Sequence, residues 1–120
     1  EQAWLLVRNV FDMNPTPLAV LDEHGKLVIS NTSFNSLLNL SQEEIQGREL
    51  PGLTRDFMQN SDLQDKLEEA LNKGENFETG EFKISGPDGT KTISLQGRII
   101  RQDKDQPYRI LINFLSKLDS

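Results

Sequence analysis

No cysteine occurs in the 120 residues. That removes disulfides, thiolate nucleophiles, zinc ribbons and iron–sulfur clusters together. There is one histidine, His24, so any catalytic triad or imidazole-ligated metal would have to be built on that residue alone. Basic residues are in deficit: 13 Lys and Arg stand against 19 Asp and Glu, a net charge of −6. A surface of that sign repels a nucleic-acid backbone and an anionic membrane, so contact with either is not expected. Long apolar runs are missing as well. The longest is Ala3 to Val7, far below the roughly twenty residues that span a bilayer, and direct membrane insertion is not expected. No basic start followed by an apolar stretch and a small-residue cleavage site reads as a signal peptide. The chain opens on Glu1, not Met, and is read as an excerpt of a longer protein.

What is present fits one domain. A chain of this length buries roughly two-thirds of its unfolded surface, enough for a core without covalent staples. Residues 3 to 13 have helical spacing, with Ala3, Leu6, Val7, Val10 and Met13 on one face. Trp4, Leu5 and Phe11 lie off that stripe, so the helix has two apolar surfaces. Asn14-Pro15-Thr16-Pro17 ends it, because proline disfavours helical geometry in the residue before it. Leu18–Leu21 and Lys26–Ser30 read as strands joined by Asp22-Glu23-His24-Gly25. Asn31, Thr32 or Ser33 can cap a helix carrying Phe34, Leu37 and Leu38, and Asn31 is the preferred cap. Ser41 with Glu44 forms a capping box for a one-turn helix ended at Gly47.

Leu50 to Gln59 reads as loop or short turns. Ser61 with Gln64 forms a second capping box, opening a helix with Leu63, Leu67, Ala70 and Leu71 on one face and Gly74 at its end. Thereafter the period is two. Phe77–Ser85, Thr90–Ile100 and Tyr108–Leu115 read as strands. The first pair is joined by Gly86-Pro87-Asp88-Gly89, with Gly89 in a left-handed conformation, and Asp103-Lys104-Asp105-Gln106 makes the next turn. Two strand blocks around a helical insert predict an α+β domain with one antiparallel sheet.

The stretch Pro17-Leu18-Ala19-Val20-Leu21-Asp22, then Gly25, Val28, Asn31, Phe34 and Leu38, resembles the opening of a PAS domain. Ser41 through Glu44, Ile45 and Gly47, then Leu67–Gly74, Phe77–Glu81 and Gly86–Gly89, continue the resemblance over about residues 15 to 115. It implies a five-stranded antiparallel sheet of order 2-1-5-4-3, with helices over one face and an N-terminal flanking helix. Residues 1–14 are then the amphipathic helix, 15–116 the PAS-like sensor domain and 117–120 the start of a linker to an output domain.

The resemblance implies a cytoplasmic sensory and dimerisation module of a larger signal-transduction protein, such as a bacterial histidine kinase or a transcription regulator. A homodimer through Trp4, Leu5 and Phe11 of the N-terminal helix is expected. So is a fused output domain. PAS domains that drive a following helix commonly end in an Asp-hydrophobic-Thr triplet, and Phe114–Ser120 has none in place. A light-driven flavin adduct needs a cysteine, and haem sensing generally needs an axial histidine on the helix that here runs from Ser61 to Lys73 without one. No cofactor is expected.

A non-covalent ligand would lie between the sheet and the helices, lined by Phe34, Leu38, Phe57, Leu67, Leu71, Leu95 and Ile112, with Asn113 able to point to either face. The same residues would furnish a filled core, which gives the alternative of a ligand-free interaction scaffold. Asp22/Glu23, Glu43/Glu44, Glu68/Glu69 and Asp103/Asp105 read as solvated pairs in turns and on polar helix faces. No metal site or catalytic residue is assigned, and a small α+β enzyme would need convergent polar groups that the sequence lacks. Asn31, Ser41, Glu44 and Gly89 are given structural roles.

Overall fold

The computed structural model describes residues 11–86, 89–100 and 108–116. Residues 11–13 are helical and lead into β1 (Leu18–Leu21) and β2 (Leu27–Ser30). A run of short helices follows: α1 (Thr32–Leu38), α2 (Gln42–Ile45), a 3-10 turn (Leu50–Gly52), α3 (Arg55–Met58) and the longer α4 (Ser61–Lys73). The chain then returns to the sheet as β3 (Phe77–Glu78), β4 (Phe82–Gly86), β5 (Gly89–Ile100) and β6 (Arg109–Ser116).

Every pairing is antiparallel, and the order is β2-β1-β6-β5-β3, with β4 also on β5. This is the expected topology, with one correction. The third strand is not continuous from Phe77 to Ser85 but is broken into β3 and β4 at Thr79–Glu81. Phe77 pairs with Gly97 and Phe82 with Ile93, so the register slips by one residue across the break. Thr79 causes it. Its buried hydroxyl accepts from the Leu95 N–H at 3.0 Å, taking the place of a strand carbonyl, and donates to the Gly80 carbonyl at 2.9 Å.

The caps explain why the helices sit where they do. Asn31 caps α1 and Ser41 with Glu44 closes the capping box of α2, as expected. The α4 cap is Asn60, not Ser61: Asn60 Oδ1 accepts from the Leu63 N–H at 3.1 Å, and Ser61 is the first helical residue. Asparagine is at least as good an acceptor there as serine, and it lies one residue earlier. Leu50–Gln59 holds two short helical turns, the second capped by Thr54 through the Phe57 N–H. The hairpin between β1 and β2 closes on Asp22, whose Oδ1 accepts from His24 and Lys26 N–H groups, with Gly25 at φ +82°.

Alternation along the strands separates two faces. Ala19, Leu21, Ile84, Ile93, Leu95, Ile110, Ile112 and Phe114 point toward the helices and are buried with Phe34, Leu37, Ile45, Leu50, Phe57, Leu63 and Leu67. Each fully buried side chain of this size contributes roughly 1.5–3 kcal/mol, so this single layer between sheet and helices holds the fold together. Leu18, Val20, Leu111, Asn113 and Gln96 occupy the opposite face.

Candidate functional site

The space between sheet and helices is where a small molecule would be held, and aromatic rings occupy it. Phe114 of β6 stands at the centre. Phe34 of α1 is tilted against it at 5.1 Å between centroids, and Phe57 of α3 meets it edge-on at 5.8 Å. Phe82 of β4 extends the cluster, edge-on to Phe57 at 6.2 Å. Such offset and edge-to-face pairs gain about 0.5–1.5 kcal/mol each beyond the area they bury. Leu95 and Ile112 complete the floor with no exposure at all.

Of the residues expected to line a pocket, Phe34, Phe57, Leu67, Leu95 and Ile112 are brought together, as core. Leu38 and Leu71 are half-buried at its margin. Leu67 and Leu71 also border a surface cleft of about 280 Å³ beside His24, Pro51 and Gln64. Tyr108 reaches across to α4, its hydroxyl donating to the Leu71 carbonyl. Asn113 is not with the others. It lies between the inward Ile112 and Phe114 in sequence, so its side chain takes the outer face, opposite Gln96 in register. Its Oδ1 is buried there without a hydrogen-bond partner. Phe114 and Phe82, the rings that complete the cluster, were legible only as alternating strand positions.

Polar groups inside the described core are few: Ser30, Asn31 and Thr79. Each is structurally engaged. Ser30 Oγ lies 2.5 Å from Asn35 Oδ1 and 3.0 Å from Gln42 Oε1, its one proton shared between the two acceptors, and so joins β2 to α1 and α2. Asn31 accepts twice and donates to the carbonyls of Phe11 and Thr16. Nothing in this set is positioned against a vacant reacting centre.

The surface electrostatics agree. His24 is 73% exposed and sits 3.4 Å from Glu23. Lys73 has a raised pKa because its ammonium donates to Glu69 and lies in the field of Glu69 and then Glu75, all at the exposed end of α4. Among the described residues no group of three His, Asp or Glu side chains is placed to hold a metal ion. Nor is any helix among them long and apolar enough to cross a membrane. Without a cysteine, a covalent flavin–thiolate adduct cannot form. Trp4, Leu5 and the Pro87-Asp88 and Asp103–Gln106 turns lie outside the described residues. Within the described helical residues 11–13, Phe11 is half-buried and Met13 is 80% exposed.

Solved structures share this architecture. The PAS domain of BvgS from Bordetella pertussis superposes with a TM-score of 0.69 at 13% identity, covering 99% of this chain and 89% of its own. A PAS domain from a two-component sensor histidine kinase gives 0.70 at 10% identity, with 97% of each chain covered. The LOV protein of Rhodobacter sphaeroides gives 0.75 at 18% identity, covering 97% of this chain and 68% of its own. No curated protein sequence matches this one. The family model described as the PAS fold matches residues 5–113. The chain belongs to the PAS family, whose domains serve signalling proteins as sensory and interaction modules.

Proposed function

We propose that this domain is a cytoplasmic PAS module that carries a signal by self-association, pairing two copies through the N-terminal helix and passing the change to a fused output domain. The ring cluster Phe34–Phe114–Phe57–Phe82 is the observation that supports an interaction role over ligand capture. A small molecule between sheet and helices would have to displace rings that already bury one another. Native mass spectrometry of the purified domain tests this: a mass equal to a whole multiple of the bare chain is expected, and a co-purifying ligand would overturn it.

The pairing half of the proposal rests on the helix sequence. Trp4, Leu5 and Phe11 stand off the stripe of Ala3, Leu6, Val7, Val10 and Met13, and one helix cannot bury both surfaces on one sheet. Phe11 half-buried with Met13 exposed supports an arrangement in which the Phe11 side packs on the domain and the Met13 stripe is left for the partner, the reverse of the pairing through Trp4, Leu5 and Phe11 expected above. Isologous pairing is the default for a homodimer. Light scattering on the wild type and on Leu6→Glu/Val10→Glu, which charges the stripe that this arrangement leaves for the partner, tests it. A dimer that becomes monomeric is expected. A monomeric wild type, or a dimer indifferent to both charges, would sink the pairing.

A further inference from the structure

Hydrogen bonds tie residues 11–16 to the start of α1 at two side chains. The two hydrogens of Asn31 Nδ2 go to the carbonyls of Phe11 at 3.0 Å and Thr16 at 2.9 Å, with the Asn14 carbonyl 3.4 Å away. Ser33 Oγ donates to that Asn14 carbonyl at 3.0 Å. Residues 11–13 are helical and Asn14-Pro15-Thr16-Pro17 leads on into β1, so these contacts hold the place where helix gives way to sheet. Little else in that stretch can do so. Pro15 and Pro17 have no N–H to donate, and Asn14 and Pro15 are exposed.

The other end of the same amide faces the core. Asn31 Oδ1 accepts from the N–H groups of Phe34 and Leu18, each at 2.9 Å. Phe34 carries the ring that lies against Phe114. The backbone of Asn31 is fixed as well: its N–H donates to the Leu18 carbonyl at 2.9 Å, and its carbonyl accepts from the Asn35 N–H at 3.0 Å. Fully buried, with both amide atoms engaged, the side chain has no freedom of its own. Only a carboxamide offers two N–H donors and a carbonyl acceptor on one planar group, and both kinds are used here.

We propose that Asn31 is the positioning residue of the N-terminal helix, the joint that fixes the helix's Phe11 turn to the start of α1 and to β1. Its acceptor does what any helix cap does. Its donors do something a cap does not need: they reach back past the prolines and seize the chain on both sides of Pro15, at Phe11 and at Thr16. The ring cluster and the helix therefore share one fixed point, a single side chain bonded to the Phe34 N–H and to the Phe11 carbonyl. The use of this joint in signalling rests on the helix pairing proposed above. The fixing of the helix does not.

Amide hydrogen exchange on the full chain, wild type against Asn31→Asp, tests the joint. A carboxylate keeps the acceptor bonds and caps a helix as well as asparagine does, but it cannot donate and it repels the Phe11 and Thr16 carbonyls. Exchange of the Phe11–Asn14 amides is expected to quicken by about tenfold or more, as for the loss of two hydrogen bonds, while α1 and β1 keep wild-type protection. A residue that only stabilised the fold would loosen all these segments together. Equal changes in Phe11–Asn14 and α1 overturn the proposal, and so does Phe11–Asn14 exchange that is the same in both proteins. If circular dichroism shows Asn31→Asp unfolded, Asn31→Ser takes its place: its hydroxyl caps the Phe34 N–H but is too short for the Phe11 carbonyl, and the same selective loss is required. Samples are compared where light scattering gives both the same mass, so a failed pairing and a failed joint are read separately.

Discussion

Phe77 lies across Gly97 so closely that a Cβ built on the glycine would stand 2.0 Å from Phe77 Cε1 and 2.6 Å from Cδ1. The two residues are direct cross-strand partners of β3 and β5. The ring therefore occupies the place a side chain at position 97 would take. A two-residue strand is short, and this contact is a large part of what fixes its register.

Gly97→Ala should consequently cost about 1–3 kcal/mol, the usual range for forcing atoms into a packed site. The loss should shrink when Phe77→Ala is added, because the smaller residue vacates the space. Urea denaturation of the two single variants and the double gives the coupling. Strictly additive losses would show that the ring moves aside freely.

A second expectation separates two caps of different burial. Asn31 is fully buried: its Oδ1 accepts from the Leu18 and Phe34 N–H groups, each at 2.9 Å, and its Nδ2 donates to the carbonyls of Phe11 at 3.0 Å and Thr16 at 2.9 Å. Ser41 and Glu44 make their reciprocal capping bonds in the open. Losing an exposed cap costs roughly 1 kcal/mol. Losing Asn31 also strands buried backbone groups, at about 1–3 kcal/mol for each that water does not reach. Asn31→Ala should therefore destabilise at least twice as much as Ser41→Ala in thermal or urea melts. Equal losses would mean that water replaces the amide.

These residues also show what sequence can carry. Asn31 was legible because a strand end followed by a helix start leaves free N–H groups that one side chain can cap. Its further bonds to Phe11 and Thr16, some twenty and fifteen positions back, depend on how the chain folds over it. The break at Thr79 left only a trace. Phe77 falls on an odd position and Phe82 and Ile84 on even ones, so the apolar phase switches, but only the hydroxyl's bond to the Leu95 N–H locates the slip. Asn113 was ambiguous until β6 was placed in register with β1 and β5, which assigns each residue a face. Local chemistry gives caps, turns and periods. Long-range pairing decides which face each residue takes.

The raised pKa of Lys73 yields a statement about pH. Its causes are the hydrogen bond and field of Glu69, with Glu75 behind them. A lysine whose folded value lies above its unfolded one adds stability that is complete below the ordinary value of 10.5 and lost as pH rises past the folded value. Melts of wild type and Lys73→Gln should therefore keep a constant difference from pH 5 to 8, in a range set by experiment, and converge only in alkali. The pair is fully exposed, so salt should shrink that difference too. A gap that varies across neutral pH would point to another titrating partner.

The turn after β4 offers the cleanest test of backbone strain. Gly89 has φ +112°, a region that side-chain-bearing residues rarely adopt, and it pairs with Gly86 at the end of the β4–β5 hairpin. Space is not the constraint, because a Cβ at Gly89 would meet nothing within 4 Å. Any loss on substitution therefore comes from the dihedral alone, expected at about 1–2 kcal/mol for a β-branched residue. Asparagine, which tolerates positive φ better than most residues, should lose less than valine. Gly97→Ala provides the opposite case, in which crowding and not φ sets the cost. Melting temperatures should thus fall in the order wild type, Gly89→Asn, Gly89→Val. If Gly89→Val melts with the wild type, the hairpin does not hold that residue at positive φ.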